Sequence, residues 1–240
     1  MKIRTYQERV YNWQRDVAAQ PVTKTPTQRD PEFCKKQLGF AYSEWFTEYI
    51  QNAEEYCRVL ALVYQGNCDI DQTLVYLDKL RTRIADDIGD VAFTILGLLN
   101  AYGVMLDNLS FSRSTDMNLY RIDQRICDFL NEVEEEDKVS ASDAKSALLD
   151  LIALSTYYAV NFWAALEAVC KSNDTKLWTL PEVHDNEQKI ESLKWAVVEV
   201  AGINDPRRFR VKNIDGKLMK SPSFTEPDLR VAIMQFVDLT

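Results

Sequence analysis

The sequence predicts an all-α fold, and three features of its 240 residues support that prediction. Apolar side chains recur at the three- and four-residue spacing of amphipathic helices through most of the chain. Prolines lie between these periodic segments, where they end helices. Hydrophobic residues make up 46% of the chain, which is enough for one substantial core. We therefore expect a helical bundle.

The predicted helices follow one another with short polar breaks, and capping residues or glycines mark several of their ends. In chain order they cover residues 3–19, Pro31–Gln65, Ile70–Met105, Asp116–Glu136, a stretch from Ser140 or Ser142 to Lys171, and Asn186–Val200.

The third predicted helix carries acids beside its apolar face. At 100° per residue its core side chains fall within about 80° of arc; they are Ile84, Ile88, Val91, Ile95 and Leu98. Asp87 lies at the edge of that arc, and Asp90 lies about 60° further round, beside a strip of small residues that includes Gly97. A carboxylate half inside a core is costly unless a cation or a donor meets it. Asp87 and Asp90 are therefore the first candidates for chemistry.

The second predicted helix carries a polar stripe nearly opposite its aromatic face. Its members, within about 60° of arc, are Glu44, Glu48, Gln51 and Glu55. One interpretation is a solvated helix face. The other is that the stripe faces Asp87 and Asp90 across a gap and that divalent cations relieve the repulsion. Mg²⁺ suits such hard oxygen ligands and leaves positions for substrate phosphates.

Composition excludes several classes of function. The net charge of −9 and the pI of about 4.8 argue against a nucleic-acid partner. The sequence has no apolar run of membrane-spanning length, and its charged N-terminus is unlike a signal peptide, so we expect a cytoplasmic protein with no membrane partner. The five scattered cysteines read as free thiols. Because a Gly-rich phosphate loop is missing from the sequence, any phosphate chemistry would use metal ions and side chains.

The chain changes character after Asp205. We therefore divide it into a helical domain, residues 1–204, and a C-terminal tail, residues 205–240, that folds onto the same domain. The tail is basic and turn-rich, with a probable turn at Asp215-Gly216. It is either a plain polar tail or a flap that closes over an anion at the acidic site.

Five segments in a fixed order carry a resemblance to a known family. YNWQRDVAAQPVTKTPTQRD (11–30) is similar to a Trp-containing first helix followed by Pro-x-x-x-Thr-Pro, and QLGFAYSEWFTEYI (37–50) to a Glu-Glu-x-x-Glu helix. DDIGDVAFTILGLLNAYGVMLD (86–107) resembles a Glu-x-x-Asp helix. KSNDTKLW (171–178) matches Ser-Asn-x-x-Lys, and DGKLMKSPSFTEPDL (215–229) matches an Asp-Gly-Lys tail. Together they resemble the all-α nucleoside triphosphate pyrophosphohydrolases, the MazG-like and dimeric dUTPase-like superfamily, especially its bacteriophage-type members.

The resemblance implies a Mg²⁺-dependent enzyme, for which Mn²⁺ could substitute, that converts a nucleoside triphosphate, preferably a dNTP, to a monophosphate and pyrophosphate. The implied metal-binding and catalytic residues are Glu44, Glu48, Asp87 and Asp90, with Glu55 as a possible addition. The implied substrate contacts are Asn173, Lys176, Lys217 and Lys220. It also implies a homodimer or homotetramer, in the host cytoplasm if the chain is phage-encoded. Trp13 or Trp178 could stack on the base.

The chain departs from the family pattern at three points. Trp45 stands where the middle Glu of the first motif is expected, and Asp87 is one methylene shorter than the Glu it replaces. Residues 108–157 form an apparent insertion, for which a helical hairpin is the economical structure. The departures leave a second hypothesis open, a catalytically impaired member that binds a nucleotide or a protein partner. A third is a structural adaptor whose acids face water.

Overall fold

The structure, a computed structural model, describes residues 3–66, 68–107, 109, 118–204, 207–214 and 216–233. These residues are mostly helical, which confirms the all-α class in its coarse form. The helices are α1 (Ile3–Asn12), α2 (Pro31–Tyr42), α3 (Ile50–Tyr64), α4 (Ile70–Tyr102), α5 (Leu119–Glu136), α6 (Ala141–Tyr157), α7 (Phe162–Asp174), α8 (Leu180–Asp185) and α9 (Glu187–Ser192). Three strands, β1 (Trp178–Thr179), β2 (Ala196–Asn204) and β3 (Arg207–Lys212), accompany them.

Helix α4 is the centre of the bundle and packs against α1, α2, α3, α6 and α7. The Asp69 carboxylate caps its first turn by accepting from the Gln72 amide. The helix ends at Gly103, whose φ of +71° suits glycine, and a Cβ there would come within 2.6 Å of the Thr25 backbone. All five apolar side chains predicted for the core face of this helix are fully buried, so that prediction is confirmed.

The predicted helix from Pro31 to Gln65 is continuous but not uniform. Asp30 caps α2 by accepting from the Phe33 amide at 3.0 Å, and Pro31 occupies the first turn, where its missing N–H is harmless. Between α2 and α3 the residues Ser43–Tyr49 form a π-helix. Its i→i+5 hydrogen bonds widen the turn, a feature often found at functional sites. Glu44 and Glu48 lie on this widened segment.

Helices α5 and α6 pack against each other as a hairpin, the form predicted for the apparent insertion. Asn118 caps α5; the predicted start at Asp116 lies outside the described residues. Arg125 of α5 forms two hydrogen bonds, 2.9 and 2.5 Å, to the carboxylate of Asp150 in α6, which is almost fully buried. The acid that the sequence places on an apolar segment of α6 therefore has a cationic partner.

The predicted helix that runs to Lys171 is wrong in one respect, because it breaks between Tyr157 and Phe162 into α6 and α7. Ala159 adopts a left-handed φ of +52°, and Asn161 caps α7. Arg81 of α4 stabilises the break by donating to the carbonyls of Tyr158 and Ala159.

The predicted helix over Asn186–Val200 is also wrong. Only α9 is helical there, and the chain continues as strand β2. The sheet has the order β1-β3-β2 and is antiparallel throughout, with Trp178 opposite Phe209 and Val198 opposite Arg210. The C-terminal tail is therefore less irregular than predicted, because β3 is its first described segment. A small second core under this sheet contains Trp178, Ile190, Phe209 and Val211.

The rest of the tail turns back and docks on the end of α7. Asn213 accepts from the Gly216 amide at 2.9 Å, which closes a turn where one was predicted, although Asp215 lies outside the described residues. The Ser221 hydroxyl donates to the Thr175 carbonyl at 2.9 Å. Within the described ranges, the structure contains no helix long and apolar enough to span a membrane.

Candidate functional site

One cavity of about 300 Å³ lies between α2, the π-helix, α4 and the tail. It collects most of the side chains that the sequence and the resemblance single out, although they are spread over more than 170 positions. Those that line it are Glu44, Glu48, Asp90, Asn173, Lys176 and Lys217. Asp87 and Lys220 lie next to the cavity but do not line it. Of the predicted facing of the two acidic helices, the structure therefore brings Glu44 and Glu48 to the same cavity as Asp90, but not Asp87.

The acids that line the cavity lie close enough together to raise the pKa of Glu44 and of Asp90. Burial first, and then the charge of Glu48, raise the pKa of Glu44 to about 7. Burial, with the charges of Asp86 and Glu44, raises the pKa of Asp90 well above its ordinary value. These carboxylates come from two helices that need not have met, and each makes the other's ionised form less favourable. Such a cluster binds cations or protons more strongly than isolated surface acids do.

Asp87 faces the other side of the same cluster. Its carboxylate accepts a hydrogen bond of 2.8 Å from the Asn52 side chain on α3. Burial raises the pKa of Asp87 to about 7, although that hydrogen bond acts in the opposite direction. Asp87 is 5% exposed. It therefore lies behind the cavity, within reach of the charges of Asp86, Glu48 and Glu44.

Cationic groups from the turn after α7 and from the tail lie near the acids. Burial lowers the pKa of Lys176, whose ammonium lies 5.9 Å from the centre of the Trp13 ring and is attracted by Asp90 and Glu44. The positive charge of Lys217 favours the ionised form of Glu44 and so acts against the effect of burial on its pKa. Lys220 pairs with Glu226 at 2.9 Å, and its ammonium lies 4.2 Å from the centre of the Phe224 ring. From that position beside the cavity its charge favours the ionised form of Asp86.

Three side chains named on sequence grounds are used elsewhere. The Glu55 carboxylate pairs with Arg58 at 2.6 Å and accepts from Tyr76, and Gln51 is exposed away from the cavity. The π-helix explains this, because its wider turn rotates α3 relative to a uniform helix and ends the predicted stripe at Glu48. Trp178 is buried in the second core and donates to the Met219 carbonyl, so it is not placed to stack on a base.

Asp86 is the acid that sequence reasoning missed. Burial, with the charges of Glu226 and Glu48, raises its pKa to about 6. Its Oδ1 atom is buried and has no hydrogen-bond partner among the described residues. Asp86 directly precedes Asp87 in the sequence but was not among the candidate residues. In the folded chain the charges of two tail residues, Glu226 and Lys220, act on it.

The oxygen donors suit a hard divalent cation. Among the described residues, no three His, Cys, Asp or Glu side chains converge closely enough to surround one ion. Mg²⁺ does not need such a cage, since it is usually bound by one or two carboxylates together with water and substrate phosphates. The unpartnered Asp86 oxygen and the mutually repelling acids are consistent with that kind of site.

No protein-family model, curated protein or solved structure matches this chain. The function is therefore inferred from the geometry of the cavity and from the resemblance in sequence motifs.

Proposed function

We propose that this chain is a Mg²⁺-dependent pyrophosphohydrolase of nucleoside triphosphates, preferably dNTPs, that releases a nucleoside monophosphate and pyrophosphate. The observation that carries the proposal is that Glu44 and Glu48 line one end of a nucleotide-sized cavity together with Asp90, and that the charge of Asp86 reaches them from beside it. Like charges that face one another in a partly buried cleft are unfavourable for folding, and a site for cations accounts for them.

Five carboxylates are candidates to hold the metal, Glu44, Glu48, Asp86, Asp87 and Asp90. When bound with the substrate, Mg²⁺ would supply neutralisation of the triphosphate charge. Lys176 and Lys217 border the cavity and would bind phosphate oxygens, while Lys220 would act from its edge. Asn173 also lines the cavity, and its backbone carbonyl accepts from the Trp13 indole at 3.1 Å, which holds the Trp13 ring against the end of α7.

Glu44 is our candidate for the group that accepts a proton from the attacking water. It lines the cavity, and burial raises its pKa above that of an exposed glutamate, which makes its carboxylate a stronger base. The products need no covalent intermediate with the protein, because water attacks the α-phosphorus and pyrophosphate leaves.

A second function, nucleotide binding without hydrolysis, is favoured by one observation. Trp45, at the position of the motif's middle Glu, is fully buried, stacks on Tyr49 with ring centres 4.4 Å apart and donates to Cys127. It cannot be a ligand, so one family carboxylate is missing. The charge of Asp86 acts on Asp90, so Asp86 lies near enough to the other acids to take over the role of the missing carboxylate.

Product analysis separates the two functions. The protein is incubated with each dNTP and NTP plus Mg²⁺, and ³¹P NMR identifies the products. We expect monophosphate and pyrophosphate, and we expect Asp90→Asn to lower kcat by about 10³-fold or more, in line with the loss of a key charge in an active site. Asp107→Asn, an exposed acid outside the cavity, is the control. Tight nucleotide binding with no turnover would support the binding protein; neither binding nor turnover would contradict both functions.

A further inference from the structure

The end of the cavity opposite the acids is lined by buried amides. Gln14 and Gln37 are 1% and 4% exposed, and both reach the cavity wall. Gly97 makes room for them, because a Cβ at that position would lie 2.9 Å from both Gln14 Nε2 and Gln37 Oε1. The strip of small residues noted in the sequence thus admits polar side chains into the bundle.

A chain of hydrogen bonds fixes which way these amides point. Asn100 donates from Nδ2 to the Gln7 carbonyl at 3.4 Å and to Gln14 Oε1 at 3.0 Å. Gln14 Nε2 then donates to the Gly97 carbonyl at 3.3 Å and to Gln37 Oε1 at 3.2 Å. Backbone carbonyls only accept, so the two bonds to Gln7 and Gly97 set the orientation of Asn100 and Gln14. Gln37 must therefore present its oxygen to Gln14.

The Gln37 NH₂ group is left as a donor that has no hydrogen-bond partner among the described residues, on a side chain that lines the cavity. A ligand that accepts from it would gain a hydrogen bond inside the cavity. On the same cavity, Gln20 Oε1 is buried and has no partner within the described part of the chain. The amide end thus offers a ligand one donor and one acceptor.

The distance between the two ends suits a nucleotide. Gln37 and Glu44 are seven residues apart on one continuous helical stretch, and Gly97 and Asp90 are seven apart on α4, so the amide and acid ends are separated by about 10 Å. Phe40 and Phe93 line the cavity between them, and the Phe93 ring meets the Trp13 ring edge to face at 5.4 Å. An α-phosphate at the acids would place a base between apolar walls, with its far edge at Gln37.

We propose that Gln37 selects the base, and that the preferred substrates are triphosphates of the oxo bases, uracil, thymine and guanine; this rests on the pyrophosphohydrolase function proposed above. The exocyclic group at C4 of a pyrimidine or C6 of a purine reaches furthest beyond the ring. A carbonyl there accepts from the Gln37 NH₂, and the adjoining ring N–H donates to Gln20 Oε1. An amino group, as in cytosine and adenine, would face the Gln37 donor with another donor.

The test is the kcat/KM for dUTP, dTTP, dGTP, dCTP and dATP at pH 8. For the wild-type protein we expect at least one oxo-base nucleotide to exceed both amino-base nucleotides by roughly a hundredfold, because a site built to hydrogen-bond one group rejects an analogue that leaves its polar atoms unpaired. Gln37→Glu keeps the acceptor for Gln14 and replaces the NH₂ with an oxygen, so it should reduce or reverse that ratio. Gln51→Glu makes the same chemical change on an exposed face of α3 and should leave the ratio unchanged.

Gly97→Ala is an independent variant, since its methyl group would displace both amides and should lower the ratio without removing a carboxylate. Turnover with equal or opposite preference in the wild type, or a ratio that Gln37→Glu leaves unchanged, would overturn the role of Gln37 while the pyrophosphohydrolase function stands. Failure to hydrolyse any nucleotide would overturn the function itself. Calorimetric titration with α,β-imido dUTP and dCTP then tests Gln37 separately, and equal affinities would overturn its role.

Discussion

Two acids of this bundle, one buried and one half-buried, have opposite surroundings. Asp150 on α6 is held by both nitrogens of the Arg125 fork, and its side chain is 6% exposed. Asp90 on α4 faces Asp86, Glu44 and Glu48. None of the described cations forms a salt bridge with Asp86 or Asp90, although Lys176 attracts Asp90 from a greater distance. Asp150 is therefore paired within the fold, whereas we propose that Asp86 and Asp90 are met by a cation from solution. On that proposal, the presence or absence of an ion-pair partner separates a structural from a functional carboxylate.

Breaking the structural pair should have the largest effect on stability. Arg125→Ala leaves Asp150 buried without its partner, so we expect the free energy of unfolding to fall by about 2 kcal/mol, less than the roughly 3–5 kcal/mol for a fully buried pair because Arg125 is 41% exposed. Urea denaturation measures this. Arg58→Ala, which removes the exposed pair with Glu55, should change it far less, because solvent screens that pair. Equal losses in the two variants would contradict the comparison.

Removing an acid from the cluster formed by Glu44, Asp86 and Asp87 should instead raise the free energy of unfolding. Burial and like charges raise the pKa of Asp86 to about 6, and of Glu44 and Asp87 to about 7. Because these values exceed those of the unfolded chain, near 4, the native state binds more protons, and its stability falls as pH rises from about 4 to about 7. At pH 8 the destabilisation is fully present.

Asp86→Asn should therefore raise the melting temperature of the metal-free protein at pH 8 and change it little at pH 4. Differential scanning calorimetry at both pH values checks this, with Asp107→Asn as the exposed control. A lower melting temperature at pH 8 would mean that Asp86 is stabilised by the fold in the way that Asp150 is.

The sequence predicted the elements whose pattern is local. The core face of α4 follows from apolar spacing, and the start of the second helix follows from Pro31, which suits a first helical turn. The break after Tyr157 could not be predicted, because that apolar segment contains no Pro or Gly and the contact that stabilises the break comes from Arg81, about 77 positions earlier. Strand β2 was missed because it depends on pairing with β3, which composition marked only as a basic tail.

The candidate site was predictable only in part for the same reason. Helical arithmetic placed Asp90 toward the inside, and the motif resemblance pointed to Asn173, Lys176 and Lys217, all of which line one cavity. Whether they bind metal and substrate stays a prediction. Asp86 and Gln37 gave no periodic signal, since their burial depends on the tail and on Gly97. From sequence alone a Gln on a helix is expected at the surface. The hydrogen bond from the Gln14 amide to the Gln37 oxygen becomes visible only in the structure.

The most direct test of the central claim, that the acids of the π-helix and α4 share divalent cations, is the melting temperature at pH 8 during a Mg²⁺ titration, with and without a non-hydrolysable dNTP analogue. We predict saturable stabilisation of the wild-type protein, about 1 kcal/mol at five times Kd. Asp90→Asn should show much less. A wild-type melting curve that stays unchanged through millimolar Mg²⁺, both with and without the nucleotide, would contradict the claim.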